Sequence, residues 1–218
     1  MGSKNKLKRF KENETFKNVI QPTRDEVVTN FSLKGKWHSF FGNKNPIVIE
    51  LGCGKGEYTI ALARKNSHKN FIGIDIKGAR FWRGAKTALE EKIENVAFVR
   101  TQIELVDFIF AKNEVDEIWI TFPDPFYKKV RRRLTHPNFL NHYRKILKDD
   151  GIVHLKTDDD MLFEFTMETL EQEKIDIIYA DDNIYSKPLY HSDLEVKTAY
   201  ENMHLRNRKT IKYVKFRL

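Results

Sequence analysis

Between Pro46 and Arg64 an apolar run, three alternating glycines and a helical pattern follow one another, and no other stretch constrains the fold as tightly. Pro46-Ile47-Val48-Ile49 reads as a buried strand, Glu50-Leu51-Gly52-Cys53-Gly54-Lys55-Gly56 as a tight turn, and Glu57 to Arg64 as a helix. Glycines let a backbone approach a ligand closely, and a helix start offers N–H groups with no internal partner. Strand, turn and helix in that order make a cofactor cradle. The spacing narrows which cofactor it holds. A dinucleotide fingerprint needs Gly-x-Gly-x-x-Gly, but here the sixth position is Glu57 and Gly56 falls one place early. That spacing disfavours a nicotinamide-dependent dehydrogenase.

A second acid points the same way. Phe71-Ile72-Gly73-Ile74-Asp75 reads as a buried strand ending in a carboxylate, 25 residues after Glu50. A carboxylate at the tip of the second strand is suited to accept both ribose hydroxyls and disfavours a 2′-phosphate. The Gly-x-Gly-x-Gly form with an acid two residues before it resembles motif I of the S-adenosylmethionine-dependent methyltransferases with a Rossmann-like fold. The resemblance implies that Glu50, Gly52, Gly54, Gly56 and Asp75 bind that cofactor.

The periodicity after Pro46 alternates regularly. Strands are expected at 46–51, 70–75, 95–100, 115–121 and 152–156, with helices at 56–65, 78–92, 102–111 and 136–147 between them. The last of these ends at a glycine stop, Lys148-Asp149-Asp150-Gly151. A helix at 159–173, a strand at 175–180, a helix near 195–206 and a strand over 209–218 complete the pattern. This predicts an α/β, doubly wound, mostly parallel seven-stranded Rossmann-like methyltransferase sheet whose last strand is antiparallel. Residues 1–35 lack sustained periodicity and read as a flexible basic arm with one or two short helical turns, leaving 36–218 as the methyltransferase domain.

Charge is unevenly distributed along the 218 residues. The net charge is +8, yet residues 1–24 carry +5, residues 128–133 carry +5 and residues 202–218 carry +6, so the remainder carries −8. An acidic body with three basic patches predicts a polyanionic partner, RNA or DNA. No run of 18 apolar residues is present, which predicts no membrane span. The segment Met1 to Lys11 is basic and lacks an apolar stretch, so no secretory signal is expected. The single cysteine, Cys53, fits a reducing cytoplasm and reads as a small filler of the turn. Histidines 136, 142, 154, 191 and 204 show no metal spacing. Asp158-Asp159-Asp160 reads as the acidic first turn of a helix, so no metal is expected.

In open parallel sheets ligands bind outside the carboxyl ends of the strands, where Glu50, Asp75, Gln102, Asp124 and Asp158 all fall. Asp124 lies in Thr121-Phe122-Pro123-Asp124-Pro125-Phe126-Tyr127-Lys128-Lys129. Two prolines fix the backbone around the carboxylate, and the cationic run beyond it marks where a polyanion would arrive. The amino-group methyltransferases of adenine and cytosine carry [D/N]-P-P-[Y/F] at this place, which Pro-Asp-Pro-Phe does not match.

The ordered set Glu50-x-Gly-x-Gly-x-Gly, Phe122-Pro123-Asp124-Pro125, Lys128 to Arg133 with Leu134-Thr135, Leu155-Lys156-Thr157-Asp158 and Thr198-Ala199-Tyr200-Glu201 resembles the bacterial tRNA (guanine-N7-)-methyltransferases over residues 46 to 218. Lys4 to Phe10 looks like the basic arm of some members. The resemblance implies methyl transfer from S-adenosylmethionine to N7 of a guanine in the tRNA variable loop. It places Glu50, Asp75, Gln102 and Asp124 at cofactor positions, with Asp124 also catalytic. Lys128, Asp158 and Thr198, Ala199, Tyr200 and Glu201 fall at substrate positions, and Lys129, Arg131, Arg132 and Arg133 at an RNA-contacting segment. Two departures stand out: Phe126-Tyr127 replaces the family's usual Trp-Pro, and Gln102 stands where an acid or asparagine is commoner. The expected partner is tRNA, with no membrane and no obligate protein partner. The competing readings are an RNA-binding protein with an inactive cofactor site, and a methyltransferase of this fold acting on another base or a small molecule.

Overall fold

The strands that form the centre of the protein are those with no polar face. All five residues of β2 (Ile47–Leu51) and of β3 (Asn70–Ile74) are buried, as are the four of β4 (Val96–Val99). A strand buried on both faces needs helices above and below it. The computed structural model describes residues 3–218 and supplies them. The remaining strands are β1 (Val19–Ile20), β5 (Val115–Thr121), β6 (Leu147–Thr157), β7 (Asp176–Asp181) and β8 (Lys212–Arg217). The helices are α1 (Ser3–Asn13), α2 (Arg24–Asn30), α3 (Trp37–Phe41), α4 (Glu57–Lys65), α5 (Gly78–Glu90), α6 (Val106–Ile109), α7 (Pro137–Arg144), α8 (Asp160–Gln172) and α9 (Ala199–Arg206).

The strands form one sheet in the order β1-β4-β3-β2-β5-β6-β8-β7. Pairing is parallel except that β8 runs antiparallel to both β6 and β7. Side chains alternate along each strand and so divide the core. Ile47, Ile49 and Leu51 pack with α6, α7 and α8, while Val48 packs with α4 and α5 on the other face. The doubly wound sheet with an antiparallel last strand is thus present, with one strand more than the seven expected. The extra strand is β1, two residues long and beyond the reach of any periodicity.

Residues 3–35 are not arranged as a flexible arm; Met1 and Gly2 lie outside the described residues. Helix α1 lies on α5, where Asn13 Nδ2 donates to the Gly78 carbonyl at 3.0 Å and Trp82 Nε1 donates to Glu12 at 2.9 Å. The Asn18 amide donates to the Ala85 carbonyl at 3.1 Å. Asn13 and Asn18 are buried. Polar anchors hold this region, so the hydrophobic pattern gave no sign of it. Nor does the chain break at residue 35, because the buried Glu114 carboxylate accepts from both Gly35 N and Trp37 N.

Three element boundaries also differ from expectation. The helix expected at 102–111 is a 3-10 turn over Ile103–Leu105 followed by the single turn α6. The helix near 195–206 is likewise split into a turn at Ser192–Glu195 and α9. Lys148 to Gly151 does not stop a helix. Helix α7 ends at Arg144, and the four residues form an irregularity in β6, where Val115 pairs with Leu147 but Glu117 with Ile152.

Candidate active site

The carboxyl ends of β2, β5 and β6 open into a crevice of about 770 Å³. The glycine turn forms one wall. Gly52, Gly54 and Gly56 have φ of +75°, +56° and +73°, a region that side chains rarely enter. The glycines have two different uses. A Cβ at Gly52 would meet nothing within 4 Å, so this backbone faces open space from which a ligand can approach. A Cβ at Gly56 would come within 2.5 Å of the Phe98 ring, so Gly56 serves close packing of turn against sheet. An open, left-handed backbone at the head of α4 fits the methionine end of S-adenosylmethionine, the group Gly52 and Gly54 would hold.

Two buried carboxylates keep the turn in shape. Glu50 accepts from Thr59 N at 2.9 Å, from the Thr59 hydroxyl and from the Thr121 hydroxyl at 2.6 Å. Burial pushes its carboxyl up to about 7 despite these three donors. Asp75 accepts from Gly54 N at 3.0 Å and from Lys77 N at 2.7 Å. Both oxygens of Asp75 therefore clamp backbone, and the residue does not line the crevice. Gln102 is exposed, lies outside the crevice lining and accepts from Arg24 Nη1 at 2.7 Å.

The opposite wall begins at the Pro-Asp-Pro loop. Asp124 is exposed and lines the crevice; its Oδ1 accepts from Phe126 N at 2.9 Å, and its Oδ2 has no protein hydrogen bond among the described residues. Phe122 and Phe126 on either side adopt φ of +48° and +44°, strain held by the flanking prolines. Beyond them Lys128, Lys129, Arg131 and Arg132 are exposed in a row. Arg133 is not part of that row. It is 4% exposed, donates from Nε to the Pro125 carbonyl at 3.0 Å and lies over the Phe165 ring at 4.5 Å. It braces the loop from within and is unavailable as an RNA contact.

Helix α9 completes the wall with Thr198, Ala199, Tyr200, Met203 and His204. Tyr200 is half exposed and meets Phe122 edge to face at 5.9 Å. Asp158 pairs with Lys209 at 2.7 Å and with His204 Nδ1 at 3.1 Å. The hydrogen bond from Lys209 raises that lysine's pKa. Glu201 points away from the crevice. It is fully buried, pairs with Lys156 at 2.8 Å and accepts from the Tyr185 hydroxyl at 2.6 Å. Burial lowers the Lys156 pKa, the Glu201 charge opposes that, and the ammonium also donates to the Leu194 and Val196 carbonyls. Glu201 thus holds the wall from behind and does not face a base.

The fold brings Glu50, Gly52, Gly54, Asp124, Asp158, Thr198, Ala199 and Tyr200 into one crevice. It leaves Gly56, Asp75, Gln102, Glu201 and the cationic run outside the lining. Sequence reading missed Glu57, Arg80, Tyr127, His204 and Lys209, which also line it. Arg80 was within reach, lying just past the tip of β3. His204 and Lys209 carried no local signal. Among the described residues no group of three or more His, Cys, Asp or Glu is placed to hold a metal ion, and no helix is long and apolar enough to cross a membrane.

The doubly wound sheet and the glycine turn lining an open crevice define a Rossmann-like methyltransferase. A family model described as "Putative methyltransferase" matches residues 44–214. The tRNA (guanine-N(7)-)-methyltransferase of Christiangramia forsetii is 59% identical over the whole of both chains. That of Bacteroides thetaiotaomicron is 46% identical over 99% of this chain and 86% of its own. The chain belongs to the tRNA (guanine-N(7)-)-methyltransferase family. Among solved structures, an antibiotic-related methyltransferase superposes with a TM-score of 0.66 over 84% of this chain and 94% of its own, at 20% identity, a likeness of fold.

Proposed function

We propose that this protein transfers a methyl group from S-adenosylmethionine to N7 of a guanine in the variable loop of tRNA, forming 7-methylguanosine. The observation that carries the reading is one crevice with the glycine turn on one wall and the exposed Asp124 on the other, opening beside Lys128, Lys129, Arg131 and Arg132. Membership of the family supports the choice of tRNA and of N7.

When bound, S-adenosylmethionine supplies a methyl group on a sulfonium. Guanine N7 carries an in-plane lone pair at neutral pH, so the protein need not remove a proton before attack. Its task is alignment, with reacting atoms about 3–3.5 Å apart and in line. Gly52 and Gly54 receive the cofactor, while Glu50 and Asp75 fix the turn that carries them. Asp124 has one carboxylate oxygen tied to its own loop. The other accepts from the guanine N1–H or exocyclic amine, donors that adenine does not offer in that arrangement. Tyr200 offers an aromatic face for the extruded base. Lys128, Lys129, Arg131 and Arg132 contact phosphates, joined by the exposed Lys6, Lys8 and Lys11 of α1.

The test is incubation with methyl-labelled cofactor and bulk tRNA, followed by identification of the labelled nucleoside. The expected product is 7-methylguanosine, a nucleoside whose positively charged imidazole ring makes it alkali-labile. A tRNA with adenine at the modified position should be inert. Any other methylated base, or label transferred only to small molecules, overturns the reading.

A further inference from the structure

Glu57 is the residue that breaks the dinucleotide fingerprint, and in the fold it does something no motif describes. It is the first residue of α4, immediately after Gly56, and it lines the crevice. Its Oε2 accepts from Ala199 N at 2.8 Å, across 142 residues of sequence. Ala199 is the first residue of α9, whose Thr198 cap accepts from Glu201 N. The first N–H groups of a helix have no partner within it. Here one is satisfied by a carboxylate from the helix that follows the glycine turn.

Three further residues of α4 and its C-cap, Tyr58, Lys65 and Asn66, also contact the chain leading into α9. The Tyr58 hydroxyl donates to the Asp193 carbonyl at 3.0 Å. Lys65 donates to the Ser192 carbonyl at 2.5 Å and pairs with Glu195 at 2.8 Å. Asn66 donates to Asp193 at 3.2 Å. Helix α4 therefore clasps residues 192–199 along its length, and Glu57 is the contact at the crevice end.

We infer that Glu57 is a positioning residue that pins the α9 wall to the cofactor turn, setting the distance between methyl donor and acceptor base. The inference rests on the proposed function for the identity of that base. Tyr200, Met203 and His204 project from the first two turns of α9, so their placement follows that of Ala199 N. A displacement of about 1 Å at a reacting centre can lower a rate on the order of 100-fold. Loss of one of several pins should release part of that.

Two substitutions remove the pin from opposite sides. Glu57→Ala removes the acceptor. Ala199→Pro removes the donor, and the site tolerates it: Ala199 is the first helical position, and Thr198 at φ −70° and ψ 162° already has the backbone that precedes proline. Both side chains are partly or largely exposed, so neither change opens the core. Glu57→Gln keeps an oxygen acceptor and loses the charge.

Hydrogen exchange of the amides of residues 200–204 is measured on the cofactor-free protein, and turnover on tRNA at saturating cofactor. Glu57→Ala and Ala199→Pro should each speed exchange in that segment and lower kcat roughly tenfold, with the double variant no worse than either. Glu57→Gln should recover most of both. Unchanged exchange in Glu57→Ala, faster exchange without loss of turnover, or additive losses in the double variant would each overturn the inference. The exchange comparison stands whatever the product of the wild-type reaction, so failure of the proposed function and failure of the pin are separable.

Discussion

The two walls of the crevice are built on opposite terms. On the cofactor wall, carboxylates face inward: Glu50 and Asp75 are buried, and their oxygens are occupied by Thr59, Thr121, Gly54 and Lys77. On the opposite wall Asp124 stands in solvent, and Lys128, Lys129, Arg131 and Arg132 follow it, exposed, just outside the lining. The first wall is fixed before any ligand arrives. The second presents charge and aromatic surface that only a partner can engage. Substitutions on the first should therefore act through stability and turn geometry, and those on the second through rate or affinity.

The largest effect should come from Asp124→Ala. It removes a carboxylate from an exposed loop whose shape the prolines retain, so tRNA affinity should change little while the single-turnover rate falls on the order of 100-fold. A near-normal rate at saturating tRNA would remove Asp124 from the reaction and erase the contrast.

Next comes the pH dependence of the cofactor wall. The folded-state value of Glu50, about 7, lies above that of a free glutamate. Its contribution to stability is thus complete below about pH 4 and is lost as pH rises to 7. Glu50→Gln removes that loss. The variant should be more stable than wild type at pH 8 by roughly 3 kcal/mol, about 6–12 °C in Tm, and no more stable at pH 4. Equal melting of the two proteins at pH 8 would mean that Glu50 ionises freely and that this wall is wet.

A double Arg131→Ala, Arg132→Ala variant should weaken tRNA binding about tenfold at moderate salt. The slope of log affinity against log salt should fall by about 1.4–1.8, with the saturated single-turnover rate largely kept. An unchanged slope would show that these side chains touch no phosphate. The smallest effect is expected of Lys8→Ala, which leaves the Glu12 and Asn13 anchors of α1 intact. The slope should fall by about 0.7–0.9 if α1 extends the RNA surface, and stay the same if the helix is purely structural.

The parts of this molecule that are legible in its sequence are those written in local pattern. The β2–turn–α4 unit is readable because strand, glycines and helix are contiguous, and Asp124 because its two prolines and the cations after it are neighbours. Arg133 shows where adjacency misleads: one residue after Arg132, it turns inward because the Pro125 carbonyl and the Phe165 ring are within its reach. Glu201 shows the limit of motif reading. Its partner Lys156 lies 45 residues away, and only the sheet brings them together. The docking of residues 3–18 on α5 was illegible because polar side chains, Glu12, Asn13 and Asn18, which carry no hydrophobic periodicity, anchor it.

The place of β8 in the sheet has a consequence for biosynthesis. Residues 212–217 lie between β6 and β7, both of which leave the ribosome earlier. Strand β7 has no other neighbour among the described residues, so it must wait unpaired while some 30 further residues are made, a delay of about 1.5–6 s at 5–20 residues per second. During that interval β6 presents an open edge to every neighbouring chain. Insertion of β8 closes that edge and gives β7 its place, so a strand made after both of its neighbours is the one that ends their exposure to aggregation.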